Sequence, residues 1–200
     1  SKQTVNINRI VLDDRIGNRI LKYVPHGLNH EHYFPVKEDD PKYLEFKKMV
    51  LGPDAETTKF VAFFNSRNIR RKQIPDTMLA FRAFLDSLPE EEAKHCKLIL
   101  HTELTSNHGT DLLKVNEYLF GEKYPRHVIF STHKLGRDQL NYLYNMADVQ
   151  VLLTSNEGWG LTITEAILSG TPIIANTTGG MQDQMRFIDE NGNWFTPSPD

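Results

Sequence analysis

Two glutamates eight positions apart, Glu157 and Glu165, stand in the stretch TSNEGWGLTITEAILSGTPIIANTTGG, residues 154–180. Gly158 and Gly160 flank the first of them, the run DVQVLLT (148–154) leads in, and TPIIAN (171–176) follows. Both runs read as strands, so SNEGWG leaves a strand end and enters a helix at about Gly160. In open α/β sheets, ligands sit outside the carboxyl ends of the strands. A helix start there presents unpaired amides and the positive end of the dipole, which attract phosphate. Gly158 and Gly160 lack a Cβ and let a ligand approach the backbone closely. Glu165 falls in the second turn, and helical side chains lean toward the N-terminus, so its carboxylate reaches back toward the cleft that Glu157 overlooks. A carboxylate has two acceptor oxygens, a match for a vicinal diol such as a ribose. The chemistry this suits is a sugar nucleotide, with the diphosphate at the helix start, the ribose on one glutamate and the sugar by the other. Two isolated glutamates would read as solvated surface; the coincidence of glycines, strand end and helix start reverses that.

Such a site needs a parallel sheet beneath it, and the sequence supplies one. KFVAFF (59–64), KLILHT (97–102), HVIFST (127–132), VQVLLT (149–154) and PIIAN (172–176) are apolar runs with little alternation, as in strands buried on both faces. Helical stripes lie between them: Ile74, Met78, Phe81, Leu85 and Leu88, with Pro75 near the start and Pro89 as a stop, then Leu140, Leu143, Tyr144 and Ala147. LTITEAILSG (161–170) is a short helix closed by Gly170 and Pro172. Repeated strand–helix–strand units give right-handed crossovers and an α/β fold with a doubly wound, mostly parallel, Rossmann-like sheet. Ahead of this, ILKYVPHG (20–27) reads as a short strand entering a turn. DDPKYLEFKKMVLG (39–52) reads as a surface helix capped by Asp40, with Pro41 in its first turn and Gly52 closing it.

Composition sets the bounds. The chain has 200 residues, 39% hydrophobic and 24% charged, enough for one domain with a real core. A net charge of −3 argues against general nucleic-acid affinity, with RNIRRK (67–72) a local exception. No apolar run approaches the ~20 residues of a membrane helix. The single cysteine, Cys96, excludes a disulfide framework and suits a reducing, cytoplasmic setting. His26, His30 and His32 lie close together, but zinc needs a convergent fourth ligand, and no metal is expected.

The motifs resemble a known family. EGWGLTITEA resembles the E-x7-E motif of family-4 retaining glycosyltransferases, E-G-[FY]-G-L-x-x-x-E-A, with Trp159 at the aromatic position. MADVQVLLTS resembles the family's lead-in, with Leu153-Thr154 in place of the usual proline, and SGTPIIANTTGG its tail, with Asp183 where a glutamate often follows. FFNSRNIRRKQIPDTMLAF resembles its G-R-l-x-x-x-K-G turn, with Ser66 and Gln73 replacing the glycines. VPHGLNHEHYFPV (24–36) resembles its i-P-N-G-v-D-x-x-x-F-x-P segment. The likeness runs over nearly residues 20–185.

The resemblance implies the C-terminal, donor-binding lobe of a GT-B enzyme. Arg67 and Lys72 would clamp the donor diphosphate and stabilise the charge on the leaving nucleotide, with Arg70 and Arg71 between them facing solvent. Glu157 would hold the donor sugar together with the backbone of Gly158, Trp159, Gly160, Leu161 and Thr162, and Glu165 the ribose. Gly27 would border the cleft, and residues 131–135, ending at Leu135, would flank the base. Arg67, Lys72 and Glu157 would carry the catalysis. The implied substrate is a UDP- or GDP-sugar bound without a metal or other cofactor, and the implied partner is an N-terminal acceptor lobe. Residues 1–19 would be a remnant or linker from that lobe and 20–200 the donor domain, truncated at its end. Such a piece would bind donor weakly and transfer little alone; the full enzyme would be cytoplasmic or membrane-peripheral. A non-catalytic binding module and a sugar-nucleotide epimerase stand as the alternatives.

Overall fold

The computed structural model describes residues 1–184, 187–188, 191 and 193–195. After helix α1 (Lys2–Leu12) and helix α2 (Pro41–Leu51), strands and helices alternate: β1 (Phe60–Asn65), α3 (Ile74–Ser87), the single turn α4 (Glu90–Ala93), β2 (Cys96–His101), α5 (Leu112–Leu119), β3 (Val128–Ser131), α6 (Arg137–Met146), β4 (Val149–Leu152), α7 (Leu161–Ser169), β5 (Ile173–Ala175) and α8 (Met181–Gln184). A short antiparallel pair, β6 (Phe187–Ile188) and β7 (Trp194–Phe195), comes last.

The first five strands make one parallel sheet in the order β3-β2-β1-β4-β5. The chain starts in the middle, winds outward to β3, crosses back and continues on the other side of β1. Strand order therefore reverses between β1 and β4, the position where such sheets open a crevice at their carboxyl ends. Side chains along β1 alternate between two cores. Ala62 and Phe64 pack with Leu98, Leu100 and the α3 residues Met78, Phe81 and Leu85. Val61 and Phe63 pack on the other face with Tyr43 and Phe46 of α2 and Leu143 and Tyr144 of α6. Both faces are covered, which is why the strands read as unbroken apolar runs.

Local signals explain the helix ends. Asp40 accepts from the amides of Lys42 and Tyr43 at 2.9 and 3.0 Å, Pro41 opens α2, and Gly52 closes it with positive φ. Gly170 ends α7 in the left-handed conformation. The strand expected over 20–27 does not form. Residues 19–29 hold no regular structure, and Ile20 and Val24 are largely exposed. A strand needs a hydrogen-bonded neighbour, and among the described residues no strand pairs with this segment.

Candidate functional site

The turn after β1 sets the first wall of the crevice. Residues 70–72 form one turn of 3-10 helix, which places Arg71 and Lys72 together, and Gln73 follows in the left-handed region at φ 49°. Glycine adopts that conformation without steric cost; here a glutamine accepts it, at a cost of roughly 1 kcal/mol. Lys72 is buried, and its Nζ donates to Oε2 of Glu157. Arg71 Nη1 donates to the same oxygen at 2.9 Å and to the carbonyl of Asn156. Arg71 is thus a member of the cluster, not the solvent-facing residue its sequence context suggested.

The second wall is the loop from β4 to α7. Thr154 is fully buried, and its one hydroxyl proton is shared between Arg71 O at 3.1 Å and Asn156 O at 3.0 Å. Asn176, just after β5, brackets the backbone of Thr154, accepting from its N at 3.0 Å and donating to its O. The Gly179-Gly180 pair lies directly on the loop, with the Gly180 amide donating to Glu157 O at 2.7 Å. A Cβ on Gly180 would stand 1.9 Å from Gly158 O, so the two segments touch backbone to backbone. Gly160 starts α7 at φ 85°. Gln184 Nε2 donates to the carbonyls of Trp159 and Gly160, and its Oε1 accepts from Thr164. Thr164 in turn accepts from Trp159 Nε1 at 3.0 Å. The indole is thereby fixed, with the ring of His26 at 5.6 Å. Gly27, next to that histidine, borders open space, as does Gly158. Leu161 is exposed and Thr162 half-buried in the first turn of α7.

Glu165 sits one turn further along. Tyr33 donates to its Oε1 at 3.1 Å and Tyr144 to its Oε2. Tyr144 is fully buried and accepts from Asn65 Nδ2 at 2.9 Å. Asn65 is the last residue of β1, so Glu157 through Lys72 and Glu165 through Tyr144 are tied to the same end of the same strand. Neither tyrosine has a periodic relation to Glu165, so no spacing in the sequence pairs either of them with it.

A cleft of about 440 Å³ adjoins the crevice over β1, β2 and β3. Its floor is a polar row in register, Asn65, His101 and Ser131, with His101 Nδ1 2.9 Å from Ser131 Oγ. Arg67, exposed, stands at its edge with His133 and Lys134. Thr102 lines it too, with its hydroxyl buried and, among the described residues, without a hydrogen-bond partner. Of residues 131–135, the first four line this cleft, whereas Leu135 packs against the core beside α2 and α6. Asn68, buried, pins the far loop by donating to Thr110 O and accepting from Thr110 N at 3.0 Å.

Charge states follow from the packing. Burial pulls the Lys72 ammonium below the usual lysine value, and the Glu157 bond only partly restores it, with Arg71 and Arg67 nearby pushing the same way as burial. Burial pushes Glu157 up, but Lys72 and Arg71 outweigh it and hold the carboxyl below the ordinary range. Burial and then the Glu165 charge raise both Tyr33 and Tyr144, so they remain donors. Of the three clustered histidines, His26 faces Trp159 and His32 lies 3.1 Å from Arg137. Among the described residues no group of His, Cys, Asp or Glu converges as a metal site would require. No described helix is long and apolar enough to cross a membrane.

Comparison with known proteins supplies the rest. The family model for glycosyl transferases group 1 matches residues 54–200. An uncharacterized glycosyltransferase of Methanocaldococcus jannaschii is 33% identical over 76 residues, 38% of this chain and 19% of that protein. The fold is similar to the C-terminal domain of the group 1 glycosyl transferase LpcC from Francisella tularensis, with a TM-score of 0.63, 20% identity, and 86% and 80% of the two chains covered. It is also similar to Anabaena HepE, solved with UDP-glucose, with a TM-score of 0.62, 20% identity, and 98% and 54% covered. The chain thus spans about half the length of HepE.

Proposed function

The chain belongs to the group 1 glycosyl transferases, and from that premise we propose that it is the donor-binding lobe of a retaining, family-4 type enzyme using a nucleoside-diphosphate sugar. The observation that carries this reading is the cluster of Glu157 with Lys72 and Arg71 at the start of α7, where the sheet order reverses. The diphosphate lies there, on the amides at the N-terminus of α7, with Lys72 and Arg67 as its cations. Glu157 takes hydroxyls of the donor sugar, beside Gly158, Trp159 and Gly160, and Glu165 takes the ribose diol. The base occupies the cleft over β1–β3, where the polar side chains of Asn65, His101 and Ser131 offer donors and acceptors. UDP-glucose in HepE makes a UDP-sugar the first candidate.

In the reaction proposed, an acceptor hydroxyl attacks the anomeric carbon on the face from which the diphosphate departs. The carbon–oxygen bond to the acceptor forms as the bond to phosphate breaks, the electron pair leaves with the phosphate, and a phosphate oxygen takes the acceptor's proton. Lys72 and Arg67 meet the developing negative charge, and no metal or cofactor is assigned. The acceptor comes from a second lobe, because transfer needs it held in line against the sugar. A cytoplasmic or membrane-peripheral setting goes with this reading.

A thermal-shift panel of UDP-, GDP- and ADP-glucose tests it. A true donor at 100 times its Kd adds about 2.7 kcal/mol of stability, and Glu165→Ala and Arg67→Ala weaken that response. No response to any of the three overturns the reading. Conversion of the sugar nucleotide in the absence of acceptor replaces it with an epimerase.

A further inference from the structure

Lys72 faces a conflict in the site as built. Its single positive charge is bonded to Glu157, yet the donor reading, on which this inference rests, requires that charge for a diphosphate. A pair of one lysine and one glutamate is neutral, and a neutral pair has little to offer an incoming anion. Arg71 changes the count. Its guanidinium bonds the same Oε2 at 2.9 Å, leaving Oε1 of Glu157 unengaged by either cation, and brings the trio to a net charge of +1. Arg71 also holds the loop that carries Glu157 through its own backbone. Its carbonyl accepts from Ser155 N at 2.9 Å and from Thr154 Oγ1 at 3.1 Å, while its side chain reaches Asn156 O. With a side-chain exposure of 39% against 8% for Lys72, Arg71 is the outer cation and Lys72 the inner one.

We propose that Arg71 is a positioning residue that neutralises Glu157 and holds its loop, so that Lys72 can exchange the carboxylate for the donor diphosphate. When the diphosphate arrives, the Lys72 ammonium turns one or more of its three N–H donors to phosphate oxygens. Glu157 stays fixed on Arg71, with Oε1 directed to the sugar. Without Arg71 the carboxylate keeps Lys72, and the diphosphate must compete for it.

A double-mutant cycle read by calorimetry tests this, with UDP, GDP and ADP as probes and the one that binds the wild type carried through. Arg71→Ala weakens its affinity by about tenfold, because the carboxylate, without its outer cation, then holds Lys72 against the diphosphate. In a Glu157→Gln background, where Lys72 has no carboxylate to escape, the same substitution costs less than about twofold. Arg71→Lys, which can still pair with Glu157, recovers most of the loss, and thermal unfolding of each variant shows that it is folded. An equal loss in both backgrounds overturns the proposal, because Arg71 would then touch phosphate itself. An unchanged affinity in Arg71→Ala also overturns it. If the wild type binds none of the three nucleotides, the donor reading falls and takes this inference with it; binding by the wild type with no coupling between the two positions sinks this inference alone.

Discussion

Glu157 and Glu165 leave one loop–helix unit eight residues apart and are held by opposite chemistries. Glu157 gives a single oxygen to two cations, Lys72 and Arg71. Glu165 gives one oxygen to each of two neutral hydroxyls, Tyr33 and Tyr144. Around Glu157 the local charge is positive; around Glu165 it stays negative. A ligand that carries an anionic group and a pair of hydroxyls finds a partner on each side, which is the electrostatic outline of a nucleoside diphosphate. The difference also concerns exchange. A cation can be handed from a carboxylate to a phosphate because both are acceptors, whereas a tyrosine hydroxyl on Glu165 fixes geometry and leaves two acceptor lone-pair positions for a diol.

The sharpest way to break the contrast is Lys72→Ala. It leaves Glu157 with its outer cation alone and removes a buried partner, which costs about 3 kcal/mol of stability in urea unfolding. A cost no larger than that of losing a tyrosine hydroxyl would mean the two carboxylates are held alike. Gly180→Ala follows at about 2–3 kcal/mol, the ordinary price of overpacking, because its Cβ meets the carbonyl of Gly158 at 1.9 Å. Displacing that loop also moves Glu157, so donor affinity falls with stability; a variant that unfolds at the wild-type midpoint would show that the contact relaxes freely.

The fold was legible because it rests on local signals that repeat. Unalternating apolar runs marked all five sheet strands, and Asp40, Pro41 and Gly52 marked α2 to within a residue. The site was legible where a single segment carried it, from Glu157 through Gly160 to Glu165. What stayed hidden joins distant segments through polar atoms, which leave no periodic trace. Tyr33 lies 132 positions from Glu165 and Arg71 lies 86 from Glu157. The motif's departures from its family are likewise explained only in three dimensions. Thr154 ties the loop to Arg71 O, Gln73 takes the left-handed turn, and Asp183 accepts from the Lys2 amide at 2.8 Å. The missing strand at 20–27 had apolar content but no partner, and pairing is not written in a segment's own composition.

Tyr144→Phe probes the neutral side. It strips a hydroxyl from a fully buried position and leaves Glu165 Oε2 and Asn65 Nδ2 without a mutual partner, costing about 1–2 kcal/mol. Because Glu165 then rotates more freely, the preference for a ribonucleotide over its 2′-deoxy analogue narrows severalfold, while the response to salt stays as in the wild type. A loss of salt sensitivity instead would mean that Tyr144 serves the cationic side.

The mildest test separates the two sides by pH alone. Burial, only partly offset by Glu157, places the folded Lys72 below the usual lysine value, so its charge is lost earlier than an exposed lysine's as pH rises. Both tyrosines are shifted the other way, by burial and then by Glu165, and stay protonated through the same interval. On the proposed reading the diphosphate binds the protonated ammonium. Its affinity therefore declines on the alkaline side at a pH below that at which an exposed lysine loses its proton, about 10.4, while a nucleoside without phosphate shows no such decline. Lys72→Arg, whose guanidinium keeps its charge throughout, flattens the alkaline limb whatever it does to the affinity at neutral pH. If the limb survives in that variant, the titrating group is not Lys72, and the assignment of the inner cation to the diphosphate is wrong.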